Sequence, residues 1–97
     1  MAKYAVLFQW TDQGVKTVKE SVNRVDQAQS AFTQLGVKIE DIYWTIGEYD
    51  LVGIVDAPDD SSLATALLKL AGAGNVRTTT LRAFDRAEFG QILSKLG

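Results

Sequence analysis

Two β-rich runs, "VKIEDIYWTI" over residues 37–46 and "YDLVGIVDA" over 49–57, are separated by only Gly47 and Glu48, and no other feature constrains the fold of this chain as much. Strand formers on both sides of a two-residue connection predict a tight antiparallel hairpin. Gly47 at the first turn position suits a backbone with positive φ. In that register Ile46 faces Tyr49, Trp44 faces Leu51 and Ile42 faces Gly53, so these share one face with Val55. Asp41, Tyr43 and Thr45 then oppose Asp50, Val52, Ile54 and Asp56 on the other face, which is polar at the turn end and apolar in the middle.

The flanking segments alternate in period. "KYAVLFQW" reads as a first strand ended by the polar turn "TDQG". Val15, Val18, Val22, Val25, Ala28, Phe32 and Leu35 recur at helical spacing and are closed by Gly36, with Ser21 or Asn23 placed to cap a second segment if the helix breaks. After the hairpin, Ala57-Pro58-Asp59-Asp60 stops the strand, and Asp59 to Ser62 offers N-caps for a helix carrying Leu63, Ala66, Leu67 and Leu70. "GAGN" ends that helix, and "VRTTTLRAF" is a fourth strand. Asp85 with Glu88 has the form of a capping box opening a last helix through Phe89, Ile92, Leu93 and Leu96. The order β-α-β-β-α-β with an added C-terminal helix is the split βαβ, ferredoxin-like arrangement: an α+β fold with a four-stranded antiparallel sheet and helices on one face.

At 97 residues the chain has room for one domain over residues 1–97 and no separate cofactor domain. Its net charge of −2, with the ten basic residues scattered, gives no electrostatic footprint for a phosphate backbone, so nucleic acid is not an expected partner. No apolar run approaches a membrane span or has the form of a secretory signal, and a cytoplasmic location is expected. Histidine and cysteine are both absent, which removes soft and borderline metal sites and any triad with a histidine base. No metal and no cofactor is expected. A carboxylate or tyrosine acid/base stays open.

Four short motifs, Thr11-Asp12-Gln13-Gly14, Thr45-Ile46-Gly47-Glu48-Tyr49-Asp50, Asp56-Ala57-Pro58-Asp59-Asp60 and the run Val76 to Phe84, together resemble the GYD domain family across nearly the whole chain. The resemblance implies a ferredoxin-like fold of the dimeric α/β-barrel type. It implies no particular activity.

One layer of helices covers one face of a four-stranded sheet, yet Val52, Ile54 and Tyr43, joined by Ala5 and Leu7, put apolar surface on the other. A second copy of the chain is the expected lid, making a homodimer or a higher assembly of dimers. The polar end of that face would become the mouth of a cleft, and the candidate ligand-binding residues there are Tyr43, Thr45, Tyr49, Asp50, Arg77 and Thr79. Arg77 and Thr79 share a face and could hold a small carboxylate by charge-assisted bonds. The favoured reading is structural, as strand residues with Arg77 paired to Asp50 or Asp41. Asp50 reads first as a turn residue bonded to nearby amides or an arginine. Gln13 and Gly14 could present amides to an anion, and Trp10, Tyr43 and Trp44 read as core or interface. Asp56, Asp59 and Asp60 lack the spacing of a calcium loop and are expected to serve helix capping.

Three functions are compatible with these residues. The first is a homo-oligomeric binding or accessory protein that holds a small carboxylate or aromatic molecule. The second is a cofactor-independent oxygenase or isomerase using Tyr43, Tyr49 or Asp50 for proton transfer, an idea resting on fold analogy. The third is an oligomer with a purely structural role.

Overall fold

The computed structural model describes residues 1–97, and its sheet has the strand order β2-β3-β1-β4 with every neighbour antiparallel. The strands are β1 (Ala2–Trp10), β2 (Lys38–Trp44), β3 (Leu51–Ala57) and β4 (Val76–Ala83). The helices are α1 (Asp12–Lys16), α2 (Ser21–Gln34), α3 (Asp60–Gly72) and α4 (Arg86–Ser94), with a 3₁₀ turn at Val18–Glu20. This is the ferredoxin-like order.

Side chains alternate across the two faces, so the register assigns each residue to one of them. Tyr4, Val6 and Phe8 of β1 and Leu51, Val55 and Ala57 of β3 are buried beneath α2 and α3, joined by Phe32, Val37, Leu63, Ala66 and Val76. Each fully buried Val, Leu or Phe stabilises by about 1.5–3 kcal/mol relative to exposure. Gly53 has no room for a side chain: an added Cβ would lie 3.2 Å from Ile42 Cδ1 and 3.3 Å from Phe8 Cε1.

The starts of α3 and α4 follow the sequence signals closely. The Asp59 carboxylate accepts from the Ser62 N–H at 2.7 Å and caps α3. Asp85 and Glu88 close a reciprocal box on α4, at 2.8 and 3.2 Å.

The long valine stripe does not survive folding as one helix. The chain breaks after Lys16, turns through the 3₁₀ segment and restarts at Ser21, which resets the helical phase. Gly14 and Ser21 point inward instead, and Val15, Val18 and Val22 are exposed. β-Branched residues at 15, 17 and 18 weaken helix continuation across that point. Ser21 does not cap; its hydroxyl accepts from Trp44 Nε1 at 2.9 Å, tying α2 to β2.

The hairpin keeps the expected register, Trp44 opposite Leu51 and Ile42 opposite Gly53, but not the expected two-residue turn. Strand pairing stops at Trp44 and Leu51, and a Thr45 N–H to Asp50 C=O bond of 2.8 Å closes a four-residue loop, Ile46 to Tyr49. Ile46 and Tyr49 do not pair, because the Thr45 hydroxyl donates to the Tyr49 carbonyl at 2.6 Å and Gln9 Nε2 donates to the Glu48 carbonyl at 3.0 Å. Gly47 has φ 127°, in the region that favours glycine.

Candidate functional site

The face of the sheet away from the helices is built in rows, each read straight across the strands from the register. One row runs Tyr43, Val52, Leu7, Thr79, and the next runs Asp41, Ile54, Ala5, Leu81. Toward the loop end, Gln9 pairs with Arg77, and Asp50 and Thr45 continue that line. At the far end Lys38, Asp56, Lys3 and Ala83 form the last row, with a bulge between Ile39 and Asp41. The surface is thus apolar across its middle and polar at both ends. Tyr43 is 63% exposed, and the buried core under α2 and α3 draws its strand residues from the opposite face.

All six residues singled out from the sequence lie on this face or at its loop end, but they do not close into one constellation. Tyr43 and Thr79 sit on the two edge strands, three strand spacings or about 14 Å apart. Asp50 is committed to the backbone: its Oδ2 accepts from the Trp10 N–H at 2.8 Å and its own N–H donates to the Phe8 carbonyl at 2.8 Å. The carboxylate stands in for a strand carbonyl where β3 ends before β1 does. The expected Asp50–Arg77 and Asp41–Arg77 ion pairs do not form, and the Arg77 side chain makes no hydrogen bond or ion pair. Asp50 lies two strands away and its charge is already satisfied. No two of the six side chains are bonded to each other, so the site holds no preassembled acid–base pair.

Shifted protonation equilibria cluster at the opposite end. Lys3 Nζ bonds Asp56 Oδ1 at 2.8 Å, which raises the lysine and lowers the aspartate relative to their ordinary values. Tyr4 donates to Asp60, and that bond, with burial, raises the phenol. Asp59 is lowered by the Ser62 N–H that it caps. Each shift has a structural cause, and none marks a reacting group.

The "TDQG" motif is not an anion cradle. Thr11 donates its N–H to the Asn75 carbonyl at 3.0 Å and its hydroxyl to the Gly74 carbonyl at 2.5 Å. Gln13 Nε2 reaches the Ala73 carbonyl and Asn75 Oδ1, both at 3.0 Å. Gly14 packs so tightly that a Cβ would fall 2.0 Å from the Asn75 oxygen. The motif therefore clasps the "GAGN" loop, joining the ends of β1 and α3. The matched pair of polar, glycine-bearing loops was the available signal in the sequence.

A second concavity lies on the other side of the sheet, where the sequence pointed to no site. It is a cavity of about 320 Å³ between α2, α3 and the sheet, walled by Phe8, Trp10, Phe32, Ile42 and Leu70. No group of His, Cys, Asp or Glu anywhere in the chain has the arrangement of a metal site, and no helix is long and apolar enough to cross a membrane.

The chain matches the GYD domain family over residues 4–93. It is 35% identical over 89 residues to the glutamine synthetase and cystathionine beta-lyase binding protein of Thermus thermophilus, covering 91% of this chain and 94% of that one. Among solved structures it is similar to TTHA0845, also from Thermus thermophilus, at 28% identity and TM-score 0.56, covering 88% of this chain and 95% of the other. It also shares its fold with FFRP-DM1, at 17% identity and TM-score 0.61, covering 87% of this chain and 100% of the other.

Proposed function

The chain belongs to the GYD domain family, and from that premise we propose that it is an accessory protein that pairs with a second copy through the open sheet face and, as that dimer, binds other proteins. The carrying observation is the uncovered face itself, whose central rows hold Val52, Leu7, Ile54 and Ala5, half-buried in the single chain, and Leu81, which is exposed. A two-fold axis through this face buries the same apolar rows on both chains and forms the barrel-like arrangement common to paired sheets. Charges at its ends, Lys3 and Asp56 at one and Arg77 at the other, set the register of pairing.

The binding role draws on the 35% identical relative, which is named for binding glutamine synthetase and cystathionine beta-lyase. Enzymes of that kind are the partners to try first. The polar end, with Tyr43, Thr45, Tyr49, Asp50, Arg77 and Thr79, forms the mouth between paired sheets, and Arg77 is its unpaired cation, suited to a small carboxylate or an acidic side chain of a partner.

Light scattering and pull-down test both parts together. Wild type is expected to be dimeric or larger at micromolar concentration, and Val52→Asp with Ile54→Asp is expected to give a folded monomer that no longer retains either purified enzyme. A monomeric wild type would overturn the assembly. A dimer that retains neither enzyme would overturn the choice of partners.

A further inference from the structure

The cavity between α2, α3 and the sheet has three properties that together describe a ligand. Its wall is apolar and partly aromatic, from Phe8, Trp10, Phe32 and Leu70. It persists because the facing turns of the helices carry small residues: Ala28 and Ala31 on α2, Ala66 and Ala73 on or beside α3. Longer side chains at those positions would close the gap, as helix pairs ordinarily do at 8–10 Å.

Its charge is one-sided. The only ionisable side chains lining it are Arg24 and Lys69, although the chain as a whole carries −2. Arg24 is fixed at the mouth, donating to the Thr17 hydroxyl at 2.7 Å, the Thr17 carbonyl at 3.1 Å and the Gly14 carbonyl at 3.2 Å. None of those partners neutralises it. Lys69 has no ion-pair or hydrogen-bond partner.

We propose that this cavity is a binding site for a small organic acid with an apolar body, whose tail lies between α2 and α3 and whose carboxylate meets Lys69 and Arg24. At the roughly 30 Å³ that a water-sized atom occupies in a liquid, the cavity has room for on the order of ten non-hydrogen atoms. That is the size of a medium-chain fatty acid or an arylpropionate, and the volume falls within the range of small-molecule sites. The desolvated tail supplies affinity, and the cationic mouth selects the ionised acid over neutral molecules of the same shape. The site is separate from the open sheet face and does not depend on how the chain assembles.

Isothermal titration of the full chain with 3-phenylpropionate, octanoate and the neutral 3-phenylpropanamide tests it. Both acids are expected to bind saturably at one site per chain, and the amide at least about tenfold more weakly, the scale of one charge-assisted bond. Lys69→Gln, an exposed exchange between good helix formers, is expected to weaken the acids about tenfold or more and leave the amide unchanged. Ala28→Leu, which fills the cavity from α2, is expected to abolish binding of all three. No saturable binding of either acid, equal binding of acid and amide, or unchanged acid binding by both variants would each overturn the site.

Discussion

Helices α3 and α4 begin in the same way and end up in opposite circumstances. Each has an aspartate N-cap that accepts the N–H three residues on, Asp59 from Ser62 and Asp85 from Glu88, and each carries an apolar stripe. In α3 that stripe is used: Leu63 and Ala66 are buried against the sheet. In α4 no residue is buried, and Phe89, Ile92 and Leu93 remain exposed beside Phe84 and Leu96. The chain is correspondingly drawn out, 52 Å along its longest axis and 17 Å along its shortest. Local signals start a helix wherever they occur, but packing against a neighbour is what makes it part of the core.

The sharpest way to break this comparison is truncation on each helix. Leu63→Ala should destabilise the fold by about 2–5 kcal/mol in urea unfolding, because it opens a cavity under α3. Phe89→Ala should change the stability of an isolated chain by less than about 0.5 kcal/mol. If Phe89→Ala instead costs as much as Leu63→Ala, and the cost rises with protein concentration, α4 packs on a second copy and its exposure ends on assembly.

Removing a cap sharpens the contrast at a smaller scale. Asp85→Ala should cost α4 about 1 kcal/mol of local stability. The expected readout is a loss of helical ellipticity with no shift in the cooperative melt, since the sheet and α3 do not lean on α4. Asp59→Ala should lower the melt itself, because α3 cannot fray without exposing Leu63. A melt equally lowered by both would show that α4 belongs to the same cooperative unit.

The smallest expected effect is acid sensitivity. The Ser62 N–H holds the Asp59 carboxyl below its ordinary value, so its contribution is fully present above the ordinary carboxylate range and is lost as pH falls toward the lowered folded value. Asp56, lowered by its bond from Lys3, follows the same sign. Unfolding free energy followed from pH 6 down to about pH 3 should therefore fall less steeply in Asp59→Asn than in wild type. Parallel curves would remove the cap from the acid response.

Much of the fold was legible because its signals are local. The positive φ at Gly47, the caps at Asp59 and Asp85, and the alternation along Leu51 to Ala57 each operate within a few residues, and each appears in the structure. The candidate site was legible only in part. Alternation placed Tyr43 and Val52 on the open face, but no local rule says that the Asp50 carboxylate turns to the Trp10 N–H and leaves Arg77 alone. The clasp of "TDQG" on "GAGN" joins positions about sixty residues apart, so neither motif alone discloses it.

By itself, then, the sequence determined the strands and their order, the starts of α3 and α4 and the two faces of the sheet, because periodicity and capping are properties of neighbouring residues. Only the tertiary structure decided which stripe is buried and which is left bare. It broke the valine stripe at Thr17, made Gly14 and Asp50 parts of backbone junctions, and kept α2 and α3 apart over a cavity with Arg24 and Lys69 at its mouth. Those outcomes depend on distances between segments remote in the chain, and a pattern read along one strand or one helix does not contain them.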